Sequence, residues 1–450
     1  MASARDREPD SGLPAAFAGS AVPRQFARTE NSARLGRQAK EPNSAEASFD
    51  RRLVRELLGH LTADPDVAME YFYARLFTDN PGLRGLFPYA MTQTRAAVFR
   101  MLTALVKNLD DEHATAQALG QIARDHRKFG VNQKHYQPFF DALSATAEHF
   151  AGPARTAETA VAWRSALGYF AAVMSDAVDA DARAQPAWWT GEIVQHDRRT
   201  ETVAVLTIRP DGPLSYEPGQ YLAVQAPRWP RIWRDYSIAN APRENGLIDI
   251  HVRAVPGGMV STALASHCVT GDTVLLGAAR GGMRVPADPV AGLVCVAGGT
   301  GLAPLKAITE AVVGAARQGR RRAITLYVGG RRSRDLYDLR DLETLRLAYP
   351  SLTVIPVVER ELGFDGRVGR LPDVVGTHAS FRDCDVYIAG PVAMISATVR
   401  ALARRIPADR LHHDSLDALR VAHSPPRPGA QADHAGDPPG SRGPSGPSGP

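Results

Sequence analysis

The stretch VCVAGGTGLAP, from Val294 to Pro304, decides the fold of the C-terminal third of this chain. Its continuous apolar run predicts a strand buried on both faces, and the glycine cluster that follows opens a helix. Glycines let a backbone approach a phosphate closely, and a helix N-terminus offers free N–H groups. The spacing is not GxGxxG, so a tight turn without a ligand is the alternative for this stretch taken alone.

Strands and helices alternate around this stretch over residues 289–421, which predicts a parallel α/β sheet with crossover helices. Over residues 186–288 the apolar period changes to two. Segments such as TVAVLTIRP and IDIHVRAV therefore predict an antiparallel β-barrel.

Residues 47–183 carry apolar side chains at helical spacing and predict an all-α domain. Within it, Asp79-Asn80-Pro81-Gly82 marks the end of one helix. The two ends of the chain, residues 1–46 and 422–450, are rich in small residues, proline and charge. They lack apolar periodicity, so we expect both to be disordered.

Composition excludes several classes of function. The chain has 450 residues, 44% of them hydrophobic, and a net charge of +5 without a basic stripe of interleaved aromatics. Nucleic-acid binding is therefore not expected. The densest basic segment is interpreted as a solvated helix end; it contains Arg317, Arg320, Arg321 and Arg322.

The cysteines and the apolar runs indicate the setting of the protein. The three cysteines are far apart, which argues against a zinc site of CxxC type and against a disulfide framework. The N-terminus lacks the apolar core of a signal peptide, and no apolar run is long enough for a membrane span. We expect a cytoplasmic monomer without membrane contact.

Three further motifs accompany the glycine-rich turn. RDYS (Arg234–Ser237) follows PGQYL, VPGGMVSTAL (Val255–Leu264) comes next, and YIAGPVAM (Tyr387–Met394) comes last. In this order the set resembles the flavin reductase module of the ferredoxin–NADP reductase type. The resemblance implies bound FAD, with Arg234 on its pyrophosphate, Tyr236 on the flavin ring and Ser237 near the flavin N5.

The same resemblance assigns the remaining positions of the module. Tyr221 would contact the ribityl or adenosine part of FAD, and Asp235 belongs to the same motif. The FAD pyrophosphate would lie on the backbone of Gly257, Gly258, Met259, Val260 and Ser261. The nicotinamide dinucleotide would lie on Gly298, Gly299, Thr300, Gly301, Leu302, Ala303 and Pro304, with Gly390 and Pro391 beside the nicotinamide.

The choice between NADH and NADPH depends on the residues at the adenosine ribose. In GGRRSRDLYDL (Gly329–Leu339), three arginines follow the strand where the adenosine ribose is expected, namely Arg331, Arg332 and Arg334. They could receive the 2′-phosphate of NADPH or simply be solvated. The resemblance favours NADH.

The helical domain carries its own motifs. YFYARLFTDNPGLRGLFP (Tyr71–Pro88) and DHRKFGVNQKHY (Asp125–Tyr136) resemble the globin domain of bacterial flavohaemoglobins, which is fused ahead of this same reductase module. The resemblance spans about residues 47–421 and implies haem b. It makes His126 the iron ligand and Tyr73 the distal hydrogen-bond donor. It places Tyr136 near His126, and it assigns the haem pocket to Phe87, Thr94 and Val98.

Several positions depart from the family pattern. Alignment places Val178 where a glutamate usually pairs with Tyr136, and Thr94 where the distal helix usually presents glutamine. Asp125 replaces a lysine, and we expect this reversed charge to favour ferric iron. Ala389 replaces the cysteine of the last reductase motif, and Leu416 stands where an aromatic residue usually covers the flavin.

The resemblance implies that NAD(P)H gives hydride to FAD, that FAD passes single electrons to haem, and that O₂ and nitric oxide become nitrate. The departures leave two alternatives open. One is a divergent haem and flavin oxidoreductase that acts on a peroxide or an organic acid. The other is a redox-linked globin that binds or senses oxygen.

Overall fold

The structure, a computed structural model, describes residues 49–88, 91–285, 292–316, 319–377, 381 and 384–413. The segments predicted to be disordered and the position of Leu416 lie outside these residues. Along the described chain, a helical region is followed by an antiparallel sheet and then by a parallel sheet. This order confirms the predicted fold class.

Six α-helices make up the described helical region: α1 Arg51–Leu61, α2 Pro65–Asp79, α3 Thr92–Lys107, α4 Glu112–Arg127, α5 Tyr136–Ala151 and α6 Ala157–Ala184. Local sequence sets their ends. The Asp64 carboxylate accepts the Val67 N–H (3.1 Å) at the start of α2, which ends just before Pro81. The Asp111 carboxylate caps α4 in the same way through the Ala114 N–H (2.8 Å).

Six strands form the antiparallel sheet: β1 Trp189–Arg198, β2 Val203–Pro210, β3 Tyr221–Gln225, β4 Trp233–Ser237, β5 Ile248–Arg253 and β6 Thr273–Leu276. Their order is β4-β3-β6-β1-β2-β5. An antiparallel bridge between Ile238 and Ile250 joins the two outer strands and closes the sheet into a barrel. A short helix, α7 Met259–Thr262, follows β5 and continues as a wider π-helical turn to His267.

The parallel sheet contains β7 Gly292–Gly298, β8 Ile324–Gly330, β9 Leu352–Val358, β10 Arg367–Val368, β11 Cys384–Ala389 and β12 Leu411–His412. Its helices are α8 Leu302–Ala316, α9 Leu339–Ala348, α10 Leu371–Thr377 and α11 Val392–Leu402. The strand order is β10-β9-β8-β7-β11-β12. The chain therefore runs outward from β7 and returns to its other side at β11. In such sheets, ligands bind at the carboxyl ends of the strands where the order reverses, which here is the end of β7.

One sequence-based interpretation is wrong. Arg322 does not lie in a solvated helix end, because its side chain is 4% exposed and forms an ion pair with Asp385. The Arg322 backbone is also fixed by the Tyr349 hydroxyl, which donates to its carbonyl (2.6 Å). None of the helices in the described part of the chain is both long and apolar enough to cross a membrane.

Candidate functional site

His126 lies in the last turn of α4, and its ring is oriented by the backbone. Its Nδ1 lies 2.6 Å from the carbonyl oxygen of Ile122, one turn back. Because a carbonyl can only accept, Nδ1 carries the proton and Nε2 keeps its lone pair. Burial lowers the pKa of His126, so the ring stays neutral. A neutral imidazole held by a backbone carbonyl is a suitable metal ligand.

Tyr73 on α2 belongs to a cluster of aromatic rings in the helical core. Its ring centroid lies 5.5 Å from that of Phe87 and 5.7 Å from that of Phe77. The Tyr73 hydroxyl is buried and has no hydrogen-bond partner among the described residues. Burial also raises its pKa, so the phenol remains a donor. An unsatisfied donor among apolar rings is what a polar ligand of this pocket would use.

Thr94 and Val98 lie one turn apart on α3, and Val98 packs against the helical core. This spacing places both side chains on the same face of the helix. Their contact with a ligand in the pocket stays a prediction.

Tyr136 begins α5, and its hydroxyl also lacks a partner among the described residues. Burial raises the pKa of Tyr136 to about 12. Val178 on α6 is buried, and no carboxylate in the described part of the chain forms a hydrogen bond with the Tyr136 hydroxyl. The neighbouring His135 makes a local contact, in which its Nδ1 accepts the Asn132 N–H (3.1 Å).

The predicted flavin residues lie on two paired strands of the barrel. β3 and β4 are antiparallel, with Tyr221 opposite Ser237 and Ala223 opposite Asp235. Because side chains alternate along a strand, Arg234 and Tyr236 share one face, and Asp235 and Ser237 share the other. Burial raises the pKa of Tyr236, which keeps its phenol neutral.

The Gly257–Ser261 segment forms a tight turn that leads into α7. Gly257 has a φ of +72°, and a Cβ on Gly258 would lie 2.4 Å from the Ser261 Oγ. Ser261 in turn donates to the Gly258 carbonyl (3.2 Å). The turn therefore requires glycine at both positions, and its contact with a phosphate stays a prediction.

The two nicotinamide motifs meet at the carboxyl ends of the adjacent strands β7 and β11. A Cβ on Gly301 would lie 2.3 Å from the Ala389 carbonyl oxygen, and one on Gly390 would lie 3.0 Å from the Gly298 Cα. Only glycines allow this contact between the two backbones. The structure thus brings Gly298–Pro304 and Gly390–Pro391 together at the point where the strand order reverses.

The region expected to meet the adenosine ribose contains a carboxylate that the sequence analysis missed. Glu361 accepts the Ser333 backbone N–H (2.6 Å) and the Ser333 hydroxyl (2.7 Å). The bond from the backbone lowers the pKa of Glu361, so the carboxylate stays charged beside Arg332 and Arg334.

A second set of missed residues joins the helical region to the barrel. Arg280, just after β6, forms ion pairs with Asp125 of α4 and with Asp235 of β4. Nearby, the ring of Phe129 meets that of Trp233 edge-on at 6.4 Å. No local pattern marks these residues, since Asp125 and Arg280 are separated by 155 positions.

The residues present fit the three implied groups. The neutral Nε2 of His126 and the unpartnered Tyr73 hydroxyl suit haem. The glycine turn before α7 and the face of β4 that carries Arg234 and Tyr236 suit FAD. The glycine-lined edge between β7 and β11 suits a nicotinamide dinucleotide. Among the described residues, no cluster of three or more His, Cys, Asp or Glu side chains could hold a metal ion. His126 is the candidate iron ligand because its oriented ring keeps a lone pair on Nε2.

Three family models match successive parts of the chain. Residues 70–174 match the globin model. Residues 191–284 match the oxidoreductase FAD-binding domain, and residues 295–400 match the oxidoreductase NAD-binding domain.

Individual relatives match the chain over different lengths. A flavohemoprotein of Bordetella pertussis is 28% identical over 382 residues, which cover 78% of this chain and 94% of the relative. The xylene/toluene monooxygenase electron transfer component XylA of Pseudomonas putida is 32% identical over 216 residues. That match covers 47% of this chain and only 60% of the relative.

A solved structure shares the whole fold. The crystal structure of flavohemoglobin from Malassezia yamatoensis, with bound FAD and heme, has a TM-score of 0.65 and 18% identity. It covers 81% of this chain and 97% of that chain. The chain therefore carries a globin, an FAD-binding and an NAD-binding oxidoreductase domain in this order, and it is similar to flavohemoproteins over 78% of its length.

Proposed function

We propose that this protein is a nitric oxide dioxygenase that uses NAD(P)H, with NADH preferred. Two molecules of nitric oxide and two of O₂ would react with one NAD(P)H to give two nitrate ions, NAD(P)⁺ and one proton. When bound, haem supplies the iron at which O₂ and nitric oxide react, and FAD divides a two-electron donor into single electrons. O₂, nitric oxide and NAD(P)H are the small-molecule partners.

The chain's own residues would hold and orient these groups. His126 offers a neutral nitrogen whose ring is fixed by the Ile122 carbonyl. The rings of Phe77 and Phe87 pack against the Tyr73 ring and would surround its hydroxyl with apolar groups. Arg234 would bind phosphate, and the Glu361 carboxylate would accept a ribose hydroxyl and repel a 2′-phosphate.

The observation that carries the proposal is the buried Tyr73 hydroxyl without a partner among the described residues. A donor among apolar rings stabilises a ligand that gains negative charge as it reacts. The test mixes the oxygenated ferrous full-length protein with nitric oxide in a stopped-flow instrument. Rapid stoichiometric nitrate formation with turnover on NADH supports the proposal, whereas slow oxidation, or flavin reduction without haem reduction, refutes it.

A second function is favoured by the Tyr136 hydroxyl, which has no carboxylate partner among the described residues. Without that partner, the network expected to make His126 more electron-donating is absent. This favours a divergent oxidoreductase that acts on a peroxide or an organic acid. NADH oxidation that such a substrate accelerates and nitric oxide does not would support this second function. Oxygen binding without either turnover would point to a sensing role.

A further inference from the structure

The contact between the globin and the FAD-binding barrel contains one arginine that touches both. The Arg280 guanidinium pairs with Asp125, the residue before His126, and with Asp235 of the RDYS motif (2.9 Å). It also lies over the Tyr221 ring, 5.5 Å from its centroid. One side chain therefore contacts both predicted cofactor neighbourhoods.

We propose that Arg280 is the positioning residue for electron transfer between the FAD-binding barrel and the globin. The proposal rests on the proposed function, in which each NADH gives two electrons to FAD as hydride. Each of these two electrons would then pass separately from FAD to a ferric iron, which would become ferrous. By holding Asp125 to Asp235, Arg280 would fix the end of α4 that carries His126 against the strand that carries the flavin motif.

Hydrogen bonds with the neighbouring strand hold the backbone of Arg280 in place. Its backbone N–H and carbonyl form a pair of hydrogen bonds with Tyr221, at 2.7 and 2.9 Å. The guanidinium is planar and has several donors in a fixed fork, which allows one arginine to bind two carboxylates. Its side chain is only 17% exposed, so salt screens these ion pairs less than it screens pairs on an open surface.

Next to these ion pairs, an aromatic contact joins the same two elements, α4 and β4. The His126 ring lies 6.1 Å from Phe129, and Phe129 meets Trp233, the first residue of β4, at 6.4 Å. Trp233 and Asp235 share one face of β4 because side chains alternate along a strand. The aromatic contact and the ion pairs thus bind the same end of α4 to the same face of the flavin strand.

A clamp of this kind matters because contacts between domains of one chain are usually small and polar, so relative motion is the default. The rate of a transfer between two bound groups depends on how constantly the protein holds them in one geometry. Loss of the clamp should therefore slow the transfer from flavin to haem without slowing hydride transfer from NADH.

The test uses full-length protein loaded with haem and FAD, mixed anaerobically with NADH under carbon monoxide. Flavin bleaching reports the first step, and formation of the carbon monoxide complex reports haem reduction. The variants are Asp125→Asn, Arg280→Gln, the double variant and Arg280→Lys. Arg284→Gln is the matched control, because Arg284 lies four positions after Arg280 and pairs with Glu217 on the exposed surface.

We expect haem reduction to slow about tenfold in each single variant, an effect typical of coupled residues in contact. The double variant should be no slower than the slower single variant, Arg280→Lys should recover part of the rate, and Arg284→Gln should match the wild type. Flavin bleaching in Asp125→Asn should stay within about twofold of the wild type.

Three results would overturn the proposal: haem reduction as fast as in Arg284→Gln, single effects that multiply in the double variant, or equal slowing of both steps in Asp125→Asn. If Arg280→Gln loses FAD, Asp125→Asn alone decides, since it leaves the barrel intact. Failure of the proposed function looks different. If its electron transfer fails, the wild type itself bleaches its flavin and leaves the haem ferric, and if its nitric oxide chemistry fails, the wild type still reduces its haem in this assay.

Discussion

Replacing Tyr73 by phenylalanine should stabilise the haem-free globin while weakening its hold on O₂. The ring is 4% exposed, and its hydroxyl has no partner among the described residues. A buried polar group without a hydrogen bond costs about 1–3 kcal/mol. Phenylalanine keeps the ring and removes that cost, so the free energy of unfolding of the haem-free globin should rise by about 1 kcal/mol.

In the haem-loaded protein, the Tyr73 hydroxyl would donate a hydrogen bond to bound O₂. A hydrogen bond of about 0.5–1.5 kcal/mol net corresponds to an O₂ dissociation rate that rises about two- to thirteenfold in Tyr73→Phe. Dissociation of carbon monoxide, a much weaker acceptor, should change little. The stability gain is measured by hydrogen exchange of the globin helices in urea, and the dissociation rate by stopped-flow absorbance.

Tyr169→Phe is the control, because it removes the same hydroxyl group from a tyrosine that is only partly buried at the edge of the same core. It should alter neither quantity. The reasoning about Tyr73 is refuted if Tyr73→Phe destabilises the haem-free globin, or if O₂ leaves no faster than from Tyr169→Phe.

Two further substitutions and one labelling experiment have expected outcomes. His126→Ala should abolish the ordinary haem absorption band and leave the flavin spectrum unchanged; normal haem binding would exclude His126 as the ligand. Glu361→Gln should raise the ratio of kcat/KM for NADPH over NADH about tenfold, because it removes a charge that repels a 2′-phosphate, and an unchanged ratio would contradict this role. Burial raises the pKa of Cys295 to about 12, so this thiol stays protonated at pH 8 and should react with iodoacetamide only after unfolding. Labelling of Cys295 in the native protein as fast as that of the half-buried Cys384 would contradict this expectation.

Periodic segments could be predicted from the sequence. The apolar run before Gly298 is β7, and the helix after the glycines is α8, because a buried strand and an amphipathic helix impose distinct patterns. The short strands at Arg367–Val368 and Leu411–His412 were missed, since two residues carry no period. Proximity of the two glycine motifs follows from parallel strands that end at the same edge of a sheet.

Pairings between distant side chains could not be predicted. Arg322 is one of four arginines in a basic segment, and its burial depends on Asp385, which lies 63 positions further along the chain. The same holds for the Ser333–Glu361 contact, where a polar residue in a loop meets a carboxylate after the next strand. Such contacts depend on the assembled sheet and not on local propensity.

Asp125 shows how an unseen partner changes a chemical expectation. The sequence alone predicts that its negative charge favours ferric iron, but Arg280 supplies a compensating positive charge. Asp125→Asn removes the negative charge and leaves Arg280, so the electrostatic effect alone should favour ferrous iron and speed haem reduction. A positioning role for the ion pair predicts the opposite, because the clamp is lost. The two effects therefore differ in sign in this variant, and a slower reduction of haem in Asp125→Asn points to the lost contact and not to the lost charge.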